Sequence, residues 1–224
     1  MLNRLLLAAS VAAAALVSTP AVARPMTATD MHMMRRLGSP SVCPDGRYAV
    51  FTLSTTDLAA NKRNNALHVL DLTKSGSAPR PMAELAGAHS AVFGGDGALW
   101  FLKPVNGQDQ LHRMTMDGTP VPVSNLKGDI SGFKVSDDGS RLIIWADRNL
   151  QCADFACENL PKVQKSGSGR VYDQLFVRHW DTWVEPGVRS RIFAFPIRGG
   201  QVTGPGAPVT GALVGDTPSK PFGG

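Results

Sequence analysis

Three Asp-Gly turns set the plan of this chain. Each is followed at once by a short apolar run. They occur in Val42–Leu53 (VCPDGRYAVFTL), Gly94–Leu102 (GGDGALWFL) and Ser136–Trp145 (SDDGSRLIIW). Asp-Gly favours a turn because glycine accepts positive φ and aspartate hydrogen-bonds to nearby backbone. In the first run Tyr48, Val50 and Thr52 alternate with Ala49, Phe51 and Leu53, so both faces carry apolar groups. A strand of this kind is covered on both sides. The Asp-Gly pairs lie 51 and then 42 residues apart, an interval that suits one four-stranded propeller blade per repeat. The expected fold class is therefore all-β, a β-propeller.

The N-terminal 23 residues are set aside from fold reasoning. Arg4 precedes the mainly apolar run Leu5–Val17, and Ala21-Val22-Ala23 supplies a small-residue cleavage site. This is the layout of a secretory signal peptide, and the run is too short for a permanent membrane span. Export to the periplasm or medium is expected, with the mature chain beginning near Arg24. The remaining 22 basic and 18 acidic side chains leave a small positive excess, with no basic run longer than Arg35-Arg36. Nucleic-acid binding needs a concentrated basic face and is not expected. At about 40–50 residues per blade, residues 42–224 are enough for about four blades, an incomplete propeller.

Residues 24–41 read as a lead-in helix and linker. Thr27 with Asp30 forms a variant capping box, Met31, Met34 and Leu37 fall at helical spacing, and Arg35-Arg36 lies in the last turn before Gly38. The methionines are expected to pack on the sheet rim. Further along, Thr55–Asn65 and Lys103–Asp109 read as polar loops, and Ala66–Leu72 and Gln110–Met116 as strands. His68, inside a strand, reads as a hydrogen-bonded structural residue, and Cys43 as a buried, inert thiol.

The third unit breaks the rhythm. Its strand Arg191–Ile197 comes 52 residues after Gly139, leaving an insertion at about 147–187. Cys152 and Cys157 are the disulfide candidates within it. Lys162–Arg170 reads as its flexible part, and Tyr172–Trp183 as an ordered strand with a bend. Residues 201–224, rich in Gly and Pro, read as a linker.

A catalytic centre is not legible. There is no G-x-S-x-G, H-E-x-x-H, Walker A or G-x-G-x-x-G sequence, and the five histidines show no metal-ligand spacing. Catalytic residues, metal ligands and cofactors are accordingly expected to be none. The richest stretch is Arg178–Glu185, RHWDTWVE. Arg178, Trp180, Asp181 and Glu185 would suit a charged, partly apolar ligand such as a peptide terminus. The carboxylates would pair with an ammonium, and the indoles offer a face for cation–π contact. The competing reading is a structural strand with Arg178 paired to Asp181 or Glu185.

With these residues in view, the chain resembles the N-terminal propeller part of the prolyl oligopeptidase (S9) superfamily, in its bacterial dipeptidyl-peptidase and acylaminoacyl-peptidase branch. The resemblance rests on Ser39–Phe51 (SPSVCPDGRYAVF), the Asp-Gly repeats, the cysteine-bearing insertion, Val171–Trp183 (VYDQLFVRHWDTW) and Gly215–Gly224. It departs at Cys43, where a serine is usual. It implies a propeller capping an α/β-hydrolase domain with a Ser-Asp-His triad, for which no position here matches. The implied role is non-catalytic substrate gating in an exported serine exopeptidase. Its partners would be a peptide substrate and the C-terminal hydrolase domain, and acidic residues such as Asp181 or Glu185 would hold the substrate's amino end. The chain alone should be inactive. The alternatives are a stand-alone periplasmic propeller that binds partners and a decayed remnant.

Overall fold

The computed structural model describes residues 24–157, 167, 169, 171, 172, 175, 177–179, 182–211 and 213–218. The expected signal peptide and most of Lys162–Arg170 lie outside them. The chain divides between Met34 and Arg35 into two compact units.

Among its described residues the first unit holds one helix, α1 (Ala28–Met33), with the capping box formed by Thr27 and Asp30. Arg24 donates two 2.6 Å hydrogen bonds to Asp30, and this guanidinium holds the Asp30 carboxyl well below its usual range. The helix ends earlier than helical spacing suggests. Arg36 and Leu37 belong to a strand instead, and Met31 and Met34 are exposed. Met31, Met34 and Leu37 therefore do not form one helical stripe. Six residues are too few for the i, i+3, i+6 pattern to build a buried face.

The second unit is nearly all β. Sheet 1 comprises β1 (Arg36–Leu37), β2 (Ser41–Val42), β3 (Tyr48–Asp57), β4 (Lys62–Asp71) and β5 (Arg80–Pro81). Sheet 2 is the meander β6 (His89–Phe93), β7 (Leu99–Val105), β8 (Gln108–Met114) and β9 (Val121–Pro122). Sheet 3 begins with β10 (Gly132–Val135) and β11 (Arg141–Asn149). The small hairpin β12 (Arg178–His179) and β13 (Thr182–Trp183) intervenes. Sheet 3 then resumes with β14 (Val188–Arg198), β15 (Gln201–Val202) and β16 (Ala207–Pro208). Every pairing is antiparallel.

The sheets stack face to face. Val50, Leu67 and Val69 of sheet 1 share a core with Leu99, Phe101 and Met114 of sheet 2. The opposite side of sheet 2, with Trp100, Leu102 and Leu111, packs on Leu142, Ile144, Phe193 and Phe195 of sheet 3. A series of four-stranded meanders packed in chain order is a partial β-propeller. Three blades form among the described residues, where length alone suggested about four. The extra length goes into long hairpins and the segment 150–187.

The three turns are alike in atomic detail. Gly46, Gly97 and Gly139 have φ of 72°, 74° and 68°. Their N–H groups donate to Cys43, Gly94 and Ser136 carbonyls at 2.8–3.0 Å. Asp45, Asp96 and Asp138 each accept from the N–H two residues on. In the third turn the Ser136 hydroxyl, then the Ser140 N–H and hydroxyl, pull the Asp138 carboxyl down to about 2. Its folded value lies below the ordinary 3.8, so its contribution is complete above about pH 4 and disappears as pH falls through 2. Acid titration monitored by near-UV circular dichroism should show Asp138→Asn removing part of the stability loss in that window.

Three expectations are corrected. Thr55–Asn65 is not a loop: β3 and β4 stay paired as far as Asp57↔Lys62. Likewise Lys103–Asp109 is mostly strand, with only Asn106-Gly107 at the tip, at φ 52° and 78°. Residues 201–208 are not a linker, because β15 and β16 both pair with β14. In all three the backbone ladder forms without the apolar alternation that marks a strand in sequence. Cys43 is buried; its Sγ lies 3.9 Å from the Gly97 carbonyl, and burial pushes its thiol up. His68 Nδ1 contacts the Ala66 carbonyl and its ring stacks on Phe51, a structural role.

Candidate functional site

In each meander the Asp-Gly turn joins the first and second strands, and the next connection emerges at the opposite edge. That edge therefore carries the tips at residues 58–61 and 106–107 and, in sheet 3, the exit of the chain at Asn149 and its return at Val188. The connection most altered from its two counterparts is the one that bears Arg178–Glu185.

The segment is rooted by a buried aromatic. Phe155 is 0% exposed, and its ring meets Phe193 and Phe195 edge-on at centroid distances of 5.4 and 5.8 Å. The Arg148 guanidinium lies 3.9 Å above the same ring and donates to the Asp147 and Lys127 carbonyls. Burial lowers the Arg148 pKa, and Asp129 and Asp147 act against that. Arg191, also buried, donates from Nη1 to the Asn149 and Cys152 carbonyls. Cys152 and Cys157 are joined in a disulfide around this point. The Phe155 N–H donates to the Pro205 and Gly206 carbonyls. Two arginines thus satisfy carbonyls that an irregular loop would otherwise bury unpaired.

Beyond this root stands the β12–β13 hairpin, with Arg178 opposite Trp183. The Arg178 guanidinium lies 5.3 Å from the Trp183 ring centroid. Tyr172 stacks on Trp183 at 6.1 Å and 15°, and its hydroxyl donates to the Val184 carbonyl at 3.0 Å. Trp183 remains 45% exposed. The Glu185 carbonyl accepts from the Val188 N–H, and its residue is half-buried at the mouth of β14. The structure thus brings Arg178 onto an indole and places Glu185 two residues beyond that indole. Trp180 and Asp181 lie outside the described residues. Tyr172 was not singled out as a site residue; the signal available was four aromatics within Tyr172–Trp183. A cation and two stacked rings form a surface suited to an apolar side chain beside a charged group.

At the same edge, His89 Nε2 lies 2.9 Å from Asp109 Oδ2, and its Nδ1 lies 3.1 Å from the hydroxyl of the next residue, Ser90. Ser90 sits at φ 54°, where the β6–β7 register shifts. Both ring nitrogens are engaged within sheet 2, so this cluster braces a bulge. Among the described residues no group of His, Cys, Asp or Glu is arranged to hold a metal ion, and no helix is long and apolar enough to cross a membrane.

The fold and its altered third connection define a class first: an open series of propeller blades with a decorated edge. No family model matches the sequence. Dipeptidyl-peptidase 5 of Porphyromonas endodontalis is 31% identical over 165 residues, covering 71% of this chain and 23% of that protein. Dipeptidyl-peptidase 5 of Porphyromonas gingivalis is 26% identical over 154 residues, covering 68% and 22%. The chain thus spans under a quarter of the length of these curated relatives. Among solved structures, the acylaminoacyl peptidase of Pyrococcus horikoshii matches with a TM-score of 0.56 at 12% identity, over 77% of this chain and 25% of that one. These likenesses are consistent with a propeller segment of an S9 peptidase.

Proposed function

We propose that the chain is the non-catalytic, substrate-gating propeller portion of an exported serine exopeptidase of dipeptidyl- or acylaminoacyl-peptidase type. The 31% identity to a dipeptidyl-peptidase 5 over 165 residues carries this reading. The hydrolase domain, on polypeptide beyond these residues, performs acyl transfer through an activated serine. The propeller admits the peptide and holds its amino end. Export is supported by Arg4, the apolar run and Ala21-Val22-Ala23, and a disulfide suits an oxidising compartment. Expressed in full, the chain should be recovered from the periplasm or medium with Arg24 first, and should release no arylamine from dipeptidyl-arylamides. Turnover blocked by a serine-directed inhibitor would overturn the non-catalytic role.

In this reading Asp181 or Glu185 pairs with the substrate ammonium, while Arg178 and the indoles of Trp180 and Trp183 flank the first side chain. Loss of a charge-assisted contact of this kind costs about 1.5–3 kcal/mol. In a peptidase that carries this propeller, Asp181→Ala or Glu185→Ala should therefore lower kcat/KM for free-amine substrates roughly 10- to 100-fold. N-acylated substrates should change far less. Equal losses on both would point to a folding role.

A further inference from the structure

The His89 cluster that braces the β6 bulge also has the parts of an activated hydroxyl. Its three residues all belong to sheet 2, the middle sheet, whose faces are covered by sheets 1 and 3. Asp109 Oδ2 lies 2.9 Å from His89 Nε2, and the Ser90 hydroxyl lies 3.1 Å from His89 Nδ1. An ionised carboxylate only accepts, so Nε2 carries the ring proton. In the neutral ring Nδ1 is then an acceptor, and the Ser90 hydroxyl donates to it. A hydroxyl bonded to a base that a third group holds in one tautomer is the arrangement that makes a serine nucleophilic.

Backbone strain points to the same residue. Consecutive side chains of a strand project to opposite faces, so neighbours in a regular β6 would not touch. Ser90 has φ 54° at the register shift between His89 and Val92, and its hydroxyl turns back onto the ring beside it. Asn61 and Asn106 also have positive φ, but both sit at hairpin tips, where asparagine adopts it readily. Ser90 stands within a strand instead. Strain of this kind persists where surrounding contacts enforce it, and it collects at reactive sites. The acid is held as well: the Asp109 N–H donates to Asp129 Oδ1 at 2.6 Å, and the Asp109 carbonyl accepts from the Ile130 N–H. Asp109 Oδ1 is buried with no hydrogen-bond partner, so the carboxylate is directed at the ring. Ser90 is exposed and the His89 side chain is 43% exposed, which lets an acyl group reach both.

We propose that Ser90 accepts acyl groups from activated esters, with His89 as its general base and Asp109 as the positioning residue. The Ser90 oxygen bonds to the carbonyl carbon while its proton passes to His89 Nδ1. The bond from that carbon to the leaving oxygen breaks, and the leaving group departs with the electron pair. The ring then gives its extra proton to solvent, and Asp109 faces the imidazolium that exists between these steps. The substrates are limited to esters whose leaving group is stable as an anion. An arylamide has no such leaving group, so this chemistry is distinct from peptide hydrolysis and does not rest on the gating role.

Incubating the purified full chain with p-nitrophenyl acetate tests this. Absorbance of p-nitrophenolate gives the rate, and peptide mass spectrometry gives the modified residue. The expected result is a burst of about one p-nitrophenolate per chain, with the acetyl group on Ser90. His89→Gln should slow the burst about 100-fold. Asp109→Asn should slow it about tenfold or more, and Asp109→Glu should restore part of the rate. Ser90→Gly removes the hydroxyl and accepts positive φ without strain, so it should keep the fold by circular dichroism and lose the burst. A chain that is not labelled would overturn the proposal, as would an acetyl group found on another residue. So would a Ser90 rate that His89→Gln leaves unchanged, which is the behaviour of an ordinary surface hydroxyl. Equal rates for the native chain and Asp109→Asn would overturn it too.

Discussion

Replacing Phe155 with alanine should lower the unfolding free energy by about 3–5 kcal/mol, a large share of what holds a domain of this size together. The ring is fully buried, makes two edge-on aromatic contacts and supports the Arg148 guanidinium at 3.9 Å. Truncation opens a cavity between Phe193 and Phe195, and it strips the apolar platform from a buried cation that donates to the Asp147 and Lys127 carbonyls. Phe155→Leu keeps most of the volume and should cost well under half as much. Trp183→Ala, at a half-exposed ring on the hairpin, should shift stability little. Urea denaturation of the three variants checks the order. A loss from Phe155→Ala no greater than that from Trp183→Ala would mean that the segment 150–187 is not rooted through this ring.

The contrast between Phe155 and the Asp-Gly turns shows what the sequence could disclose. A turn is written in adjacent residues: an aspartate that accepts the N–H two positions on, then a glycine at positive φ. All three were legible for that reason, and so were the faces of β3 that they start. Phe155 stands alone between Asp154 and Ala156, and its partners Phe193 and Phe195 lie some forty residues away across a disulfide loop. No local period reports such a contact. The same logic explains the long β3–β4 hairpin. Thr55, Thr56, Asn64 and Asn65 carry no apolar alternation, so pairing there follows from backbone hydrogen bonds extended from the buried half of each strand. Residues 201–208 are held in the same way, through the ladder to β14 and through bonds from Val202 and Gln201 to the carbonyls of Val123 and Pro122.

The candidate site was legible in composition and not in arrangement. Its density of aromatic and charged residues marked Arg178–Glu185, but in the folded chain Arg178 lies over Trp183, and Tyr172 completes the stack. That contact depends on the hairpin register, which sets Arg178 directly opposite Trp183.

Gly95→Ala should be nearly as damaging as the loss of Phe155, for the opposite reason. The three turns differ at their second residue, which is Pro44, Gly95 and Asp137. Gly95 and Asp137 meet where sheets 2 and 3 adjoin: a Cβ on Gly95 would lie 2.6 Å from the Asp137 carbonyl oxygen and 2.9 Å from its Cα. Both are backbone atoms, so no rotamer change relieves the overlap, and the two turns must separate. Overpacking of this kind costs about 1–3 kcal/mol, and the upper end applies where backbone has to move. Gly46→Ala is the control. Its φ of 72° makes alanine strained, but nothing stands within 4 Å, so the cost is the left-handed penalty of about 1–2 kcal/mol. Asp137→Ala should fail to rescue Gly95→Ala, because the clash is with main chain that alanine retains. Thermal unfolding of the two glycine variants and the double variant checks this. Rescue by Asp137→Ala, or a Gly95→Ala cost below that of Gly46→Ala, would show that the turns are not in backbone contact. The spacing of neighbouring sheets at the turn edge would then have to be set by the apolar cores alone.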